Sequence, residues 1–489
     1  MPIVDEPSPQ STADLRRDAI RIWQAGVEAV RPERLVPEWL RVEGQSLVLG
    51  SPEARCPRLN LPLDAIRRIV VVGAGKAGEG MARAVEAVLG PALVAEKQLT
   101  GWVNVPASGA SWQVDNLPHR NERVGETTGI HLHPARPAGA NEPTPEGVAG
   151  SIEILRLVES LGPEDLCLCL LSGGGSALMP APAEGLSLAD KVAVTRCLSA
   201  AGANIEQLNT VRKQLSRIKG GGLLRACRGG RLVTLVISDV LGDRPDLIAS
   251  GPTAPDLSTP QQAIDILEQF HARQGGVAPI VFDYLRRKAS LATLSSAGER
   301  TPRTASSNEL RPDYLILANN GTAVEAAGRE ARRLGYSTTT ESASQCEGAA
   351  EQVGRRLAER ALAMCRAGGR ACLVSGGEPI VMLAEPSRRG HGGRNQQLVL
   401  ASLLRFSQER AASFALLSGG TDGEDGPTDA AGALCDATVL AAAGHRQLDA
   451  GEYLARNDAY HFFAMLDALL KTGPTGTNVC DLRVVLTRS

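Results

Sequence analysis

The chain has 489 residues, a formal net charge of −2 at pH 7 and 43% hydrophobic residues. That length supports a large core and usually divides into two or more domains. The near-neutral balance excludes the electrostatic footprint of a nucleic-acid or membrane-surface binder. No apolar run is long enough to span a bilayer, and no basic-then-apolar leader opens the sequence. The ten cysteines show neither C-x-x-C nor zinc-ligand spacing, so a reduced, cytoplasmic protein is expected. With aromatics at 3% and 52 glycines, few bases could be stacked and many tight turns are expected.

In chain order, residues 1–10 read as a polar, Pro-rich tail. A packing helix follows, with Leu15, Ala19, Ile22, Trp23 and Val30 at helical spacing. A β-branched run, 68–72, leads into Gly73-Ala74-Gly75-Lys76-Ala77-Gly78 and a helix that Gly90-Pro91 should end. The glycines fit G-x-G-x-x-G, the dinucleotide fingerprint, yet a lysine sits inside the turn. A strand at 99–105 should end in an acid for the ribose; it ends in Asn104-Val105-Pro106 instead. A loop carries His131 and His133, and a helix follows Gly139-Ala140-Asn141-Glu142-Pro143. The run 165–171 reads as a strand buried on both faces and enters Ser172-Gly173-Gly174-Gly175-Ser176. Ser187 and Asp190 form a capping box for the next helix. A basic cluster contains Asn209, Arg212, Lys213 and Lys219, and the strand 231–237 ends in Ser238-Asp239. Residues 261–289 read as helical, and 295–311 as a linker.

The second half repeats this grammar. Strands at 313–317, 371–374 and 414–417 end in Asn319-Asn320-Gly321, Ser375-Gly376-Gly377-Glu378 and Ser418-Gly419-Gly420-Thr421-Asp422. Gly392-Gly393-Arg394-Asn395-Gln396 opens a helix, and a last strand lies at 482–486. The recurring strand, loop and helix predict an α/β fold with largely parallel sheets, whose ligands bind at the carboxyl ends of strands.

Glycine loops at helix starts offer backbone N–H groups and the positive helix end to an anion. Several such loops together favour a phosphate-rich ligand. Phosphoryl transfer needs cations, magnesium, an aligned nucleophile and excluded water. Lys76 and Arg394 are the candidate catalytic cations. Ligand-binding candidates are Gly73, Gly75, Ser172, Gly173, Gly174, Gly175, Ser176, Asn209, Lys213, Asn320, Ser375, Gly376, Glu378, Asn395, Gly420 and Thr421. Asp239, Asp243 and Asp422, with Asp425 beside them, are strand-end carboxylates suited to magnesium or to taking a hydroxyl proton. His131, His133, His391 and His461 read as structural.

The ordered loops Val71–Ala77, 171–178, 238–243, 248–253, 392–396 and 418–423 resemble the glycerate 2-kinase family with a C-terminal MOFRL segment. The resemblance implies ATP- and Mg2+-dependent phosphorylation of D-glycerate to 2-phosphoglycerate, with the family's lysine and arginine on Lys76 and Arg394. It also implies a Rossmann-like N-terminal domain over 12–255, a connecting helix and linker over 256–310, and a MOFRL-type domain over 311–489, with the site in the cleft between domains. Residues 133–136 and 139–142 depart from the family's loop pattern there. Small-molecule substrates are expected, with no nucleic-acid or membrane partner; a homo-oligomer is compatible with the sequence. The alternative, from the glycine fingerprint and from the hydroxypyruvate reductase label many members carry, is an NAD(P)-dependent reductase.

Overall fold

The computed structural model describes residues 9–51, 58–107, 129–137, 142–298, 312–409 and 413–488. Residues 1–8 of the expected tail, most of the expected linker and residues 139–141 lie outside these segments, while Pro9 and Gln10 already belong to the first helix. The chain forms two compact units. One takes residues up to Arg34, Ile237–Gly242 and Ala318–Ser489; the other takes Leu35–Val236 and Asp243–Leu317.

The second of these begins with a small antiparallel sheet: β1 (Leu40–Glu43), β2 (Ser46–Leu49) and β3 (Leu59–Pro62). Its main sheet contains β4 (Arg68–Ala74), β5 (Thr100–Ala107), β6 (Ile130–Pro137), β7 (Asp165–Leu171), β8 (Arg231–Ile237) and β9 (Asp313–Ala318), ordered β6-β5-β4-β7-β8-β9. The pairs from β6 to β8 are parallel. Counted within the sheet, the order is 3-2-1-4-5-6, that of doubly wound nucleotide-binding sheets, and it reverses between β4 and β7. These two strands are continuous apolar runs because neither face meets water. Helices Leu188–Ala200, Ile205–Gln214, Pro260–Gln269 and Pro279–Gly298 share a core that includes Val194, Leu198, Val211, Leu267, Phe282 and Leu285.

In the other unit β10 (Ser337–Ser342), β11 (Arg370–Gly377), β12 (Phe414–Gly420), β13 (Gly432–Asp436), β14 (Leu469–Leu470) and β15 (Asp481–Arg488) form a sheet ordered β10-β11-β15-β12-β13-β14. Alternation along β15 sends Leu482, Val484 and Leu486 to one face and Val485 to the other. The first face is covered by helices Pro9–Ala29 and Asn320–Arg333, through Leu15, Ala19, Ile22, Trp23, Val324 and Ala327. The second packs against Ala350–Ala367 and Arg394–Phe406.

Several expectations change. The second sheet is mixed: only β10 and β11 pair parallel, because β15 returns antiparallel between β11 and β12. The segment with His131 and His133 is the edge strand β6; its prolines suit an edge, where a ladder donor can be missing. Gly90 leaves helical geometry at φ 71°, but Pro91 starts a further helical stretch to Glu96 rather than ending the element. Residues 261–289 form two helices broken between Gln269 and Pro279. The division of the chain also differs from a cut near 255. The apolar stripe of Pro9–Ala29 is buried on the C-terminal sheet, and the helices after 256 complete the core of the β4–β9 unit.

Arg483 is 1% exposed and forks onto Glu347, with Nη1–Oε1 at 2.8 Å and Nη2–Oε2 at 2.7 Å. Removing one partner of such a pair strands the other charge. Arg483→Ala is expected to destabilise its unit by about 3–5 kcal/mol in denaturant titrations, whereas Arg483→Met with Glu347→Leu loses less. A neutral single variant would contradict this account.

Candidate active site

The β4–β9 sheet sets the loops after β4 and β7 side by side, because Ala74 pairs with Leu171. Ser172 N donates to Ala74 O (3.3 Å), Lys76 N to Gly173 O (2.8 Å) and Ala77 N to Ser172 Oγ (3.0 Å). This interlock explains the glycines. A Cβ at Gly73 would lie 2.2 Å from Leu170 O; at Gly75, which sits at φ 152°, it would lie 2.0 Å from Ser172 Oγ. Gly78 packs its helix start on Val103. In a dinucleotide site the second glycine lets a pyrophosphate approach; here that space belongs to Ser172. At the end of β5, Asn104 is buried and donates through Nδ2 to Leu178 O at 2.8 Å, so it supplies no acid for a ribose.

The turn at Gly174, φ 76°, is flanked by two cations. A Cβ there would lie 2.9 Å from Arg136 Nη2 and 3.6 Å from Lys76 Cγ. Beyond it, Ser176 Oγ lies 3.0 Å from Ser250 Oγ, which donates to Asn209 Oδ1 (3.1 Å). Lys219 Nζ donates to Ser176 O (2.7 Å) and Ser176 Oγ (2.6 Å). The facing backbone Ala249-Ser250-Gly251 has φ of 51°, 63° and 62° in succession. Two non-glycine residues in the left-handed region are costly, and such strain concentrates at functional sites. Lys213 turns elsewhere. It pairs with Asp246 (3.4 Å) and Asp256 (3.7 Å) and, with Asn209 and Arg244, lines a cavity of about 510 Å³.

The C-terminal unit fills its own helix-start site. Asp425 accepts from Asn395 N (3.0 Å) and Gln396 N (2.8 Å), and Gly393 is required because a Cβ would lie 2.2 Å from Asp425 Cγ. Burial outweighs these bonds and raises the Asp425 carboxyl to about 7. Arg394 donates Nε to Asp481 Oδ2 (2.8 Å), Nη2 to Asp481 Oδ1 (3.0 Å) and Nη1 to Glu378 Oε1 (2.8 Å). Those three bonds leave two of its five N–H groups for other partners. Burial raises the Glu378 carboxyl, with Arg394 opposing and Asp481 and Asp422 adding to the rise.

Other expected ligands of this unit are committed to the fold. Asn320 Nδ2 donates to Val479 O and Asp481 O, and Gly376 makes room for the Asn320 side chain. Thr421 Oγ1 donates to Cys480 O (2.7 Å). Asn395 is bound by Asp425, Asp481 and Ser418, and Gly420 closes on Glu424 O. Ser375 Oγ is buried without a hydrogen-bond partner among the described residues.

Asp239 accepts from Asn478 Nδ2 (3.2 Å), and Asp422 accepts from Glu424 N (3.1 Å). Asp243 belongs to the other unit and sits at φ 51°. Among the described residues no three His, Cys, Asp or Glu side chains converge as a metal cage. One or two carboxylates completed by substrate phosphates are the usual magnesium set. His131 and His133 pack tilted against Trp102, and His461 bonds Asp458. Asp481 and Arg136 were absent from the expected set. An acid opening the buried final strand was the available signal for Asp481.

Comparison with known proteins follows this geometry. Residues 18–286 match a domain of unknown function, DUF4147, and residues 371–481 match the MOFRL family. D-glycerate 2-kinase of Thermotoga maritima is 34% identical, the alignment covering 96% of this chain and 98% of the relative. A putative hydroxypyruvate reductase of Agrobacterium vitis is 37% identical over 86% of this chain and 99% of its own. The crystal structure of glycerate kinase from Thermotoga maritima superimposes with a TM-score of 0.73 at 32% identity, covering 97% of this chain and all of the other. An α/β protein with paired glycine loops and buried cations is thus placed among kinases of a small hydroxy acid. The chain belongs to the glycerate kinase family.

Two outcomes follow. Gly75→Ala should lower the thermal midpoint and abolish activity together, since the added Cβ meets Ser172 Oγ and Ser172 N. Full stability with retained activity would contradict the interlock. Asp425, whose ordinary value is 3.8, holds its proton to about 7 when folded. Its stabilisation is present below the unfolded value and is lost as pH rises through about 7. Melting scans from pH 4 to 8 should therefore show a falling component in the wild type that is missing in Asp425→Asn; parallel curves would refute it.

Proposed function

We propose that the chain transfers the γ-phosphoryl group of ATP to the 2-hydroxyl of D-glycerate, forming 2-phosphoglycerate and ADP by direct in-line displacement. The observation that carries this reading is the cationic turn at Gly174, flanked by Lys76 and Arg136, beside a glycine fingerprint whose open space Ser172 already occupies. Membership of the glycerate kinase family supports it.

Lys76 provides a point charge for the phosphoryl group as negative charge spreads over its oxygens. The backbone of 173–176 and the Ser176 hydroxyl supply neutral donors to the same chain of phosphates. Arg394, fixed by Asp481 and Glu378, offers its two remaining N–H groups to the glycerate carboxylate. Asp239 and Asp422 would hold Mg2+, which when bound neutralises phosphate charge. The attacking oxygen forms its bond to phosphorus as the bond to the ADP oxygen breaks, and the hydroxyl proton leaves to a carboxylate or water. No helix among the described residues is long and apolar enough to cross a membrane. The free thiols of the described cysteines support a cytoplasmic setting.

ADP release with D-glycerate, ATP and magnesium tests the assignment. Lys76→Ala and Arg394→Ala should each lower kcat/KM by about 10²-fold or more. Arg394→Lys should not restore it, because a lysine cannot reproduce the fork onto Asp481. Near-normal turnover in both alanine variants would overturn these roles. Oxidation of NADH by hydroxypyruvate without ATP would support a reductase instead.

A further inference from the structure

Next to the Ser176 hydroxyl network lies a group of cations with no acid, among the described residues, in the charges that act on them. Lys191, on Leu188–Ala200, is 8% exposed, and its Nζ has no hydrogen-bond partner among the described residues. Thr195, one turn along the same face, accepts from Arg212 Nε of Ile205–Gln214 at 3.5 Å. Lys219 is 4% exposed and bonded to Ser176.

Lys191 and Arg212 both act on Lys219 as like charges, and Arg212 acts on Lys191. Burial first, and these neighbours second, push Lys191 down to about 7 and Lys219 well below its ordinary value. Burial alone lowers Arg212. Packing does not explain the arrangement, since Leu or Met would fill the same volume without burying charge.

We propose that Lys191, Arg212 and Lys219, with the Ser176 hydroxyl, form a subsite for a phosphate group. Two negative charges match three cations better than the single charge of a carboxylate. Arg212 and Ser176 are partly exposed, and a phosphate would reach the buried lysines past them. Phosphate entry draws a proton onto Lys191 and supplies a counter-charge that no described acid provides. The subsite rests on the kinase reading only for which molecule brings the phosphate, the nucleotide or the phosphorylated product.

Inorganic phosphate is the probe, followed by calorimetry and thermal shift slightly above neutral pH in buffers of different ionisation enthalpy. The wild type should be stabilised by phosphate and take up protons on binding. Lys191→Met should melt no lower than the wild type without phosphate, bind phosphate about tenfold or more weakly and lose the proton uptake. Arg212→Gln, which leaves the buried lysines in place, should weaken binding similarly. Unchanged phosphate binding in both variants, or no effect of phosphate on the wild type, overturns the subsite. Titrations with ADP and with 2-phosphoglycerate identify the source: the molecule seated there loses affinity in both variants. Lys191-dependent phosphate binding in a protein that forms no phosphoglycerate would leave the subsite standing and remove the kinase reading.

Discussion

The contact on which the site depends is that of Ser172 with the turn at Gly75. Two parallel strands of a doubly wound sheet end at the same level, and the order of strands reverses between them. Ligands of such sheets bind at this reversal. Here the two loops must share a space too small for one methyl group, so glycine stands at Gly75 and a hydroxyl crosses from Ser172. The interlock removes the opening that a dinucleotide would use and aims the next residue, Lys76, past Gly174 beside Arg136. A motif shared with dinucleotide sites is thereby filled from within the protein, and the proposed function gives it a different anion.

The glycine loops divide into two kinds that look alike as sequence. In the β4–β9 unit they interlock with each other, with Lys76 and Arg136 flanking the turn at Gly174. In the other unit they close on the protein's own groups: Asp425 caps the helix that Arg394 begins, Asp481 holds the Arg394 guanidinium, and Asn320 occupies the room that Gly376 leaves. Arg394 is thus a cation fixed in place before any substrate arrives. In the proposed function such preorganisation lets its remaining donors meet the glycerate carboxylate without reorientation.

Much of this was legible in residue patterns. The buried runs of β4, β7 and β8 declared a parallel sheet, and Ser187 with Asp190 forms the capping box their spacing announced. Lys76 and Ser176 follow the ends of β4 and β7, whereas Asn209 lies on helix Ile205–Gln214. What escaped depends on partners distant in sequence. Nothing local marks Asp481 as the counter-ion of Arg394, 87 residues away, or Asp425 as a helix cap 30 residues on. The antiparallel return of β15 is invisible because a fully buried strand reads the same in either direction. The edge strand β6 was hidden by histidines and prolines that a central strand would not carry.

The central claim, that these loops serve phosphoryl transfer to a hydroxy acid, is tested most directly by phosphorus NMR of the products formed from ATP, magnesium and D-glycerate. The account predicts a phosphomonoester coupled to the C2 proton of glycerate, growing in step with ADP and absent with Lys76→Ala. Consumption of ATP without that ester, or a phosphorus signal coupled to the C3 protons, would contradict it.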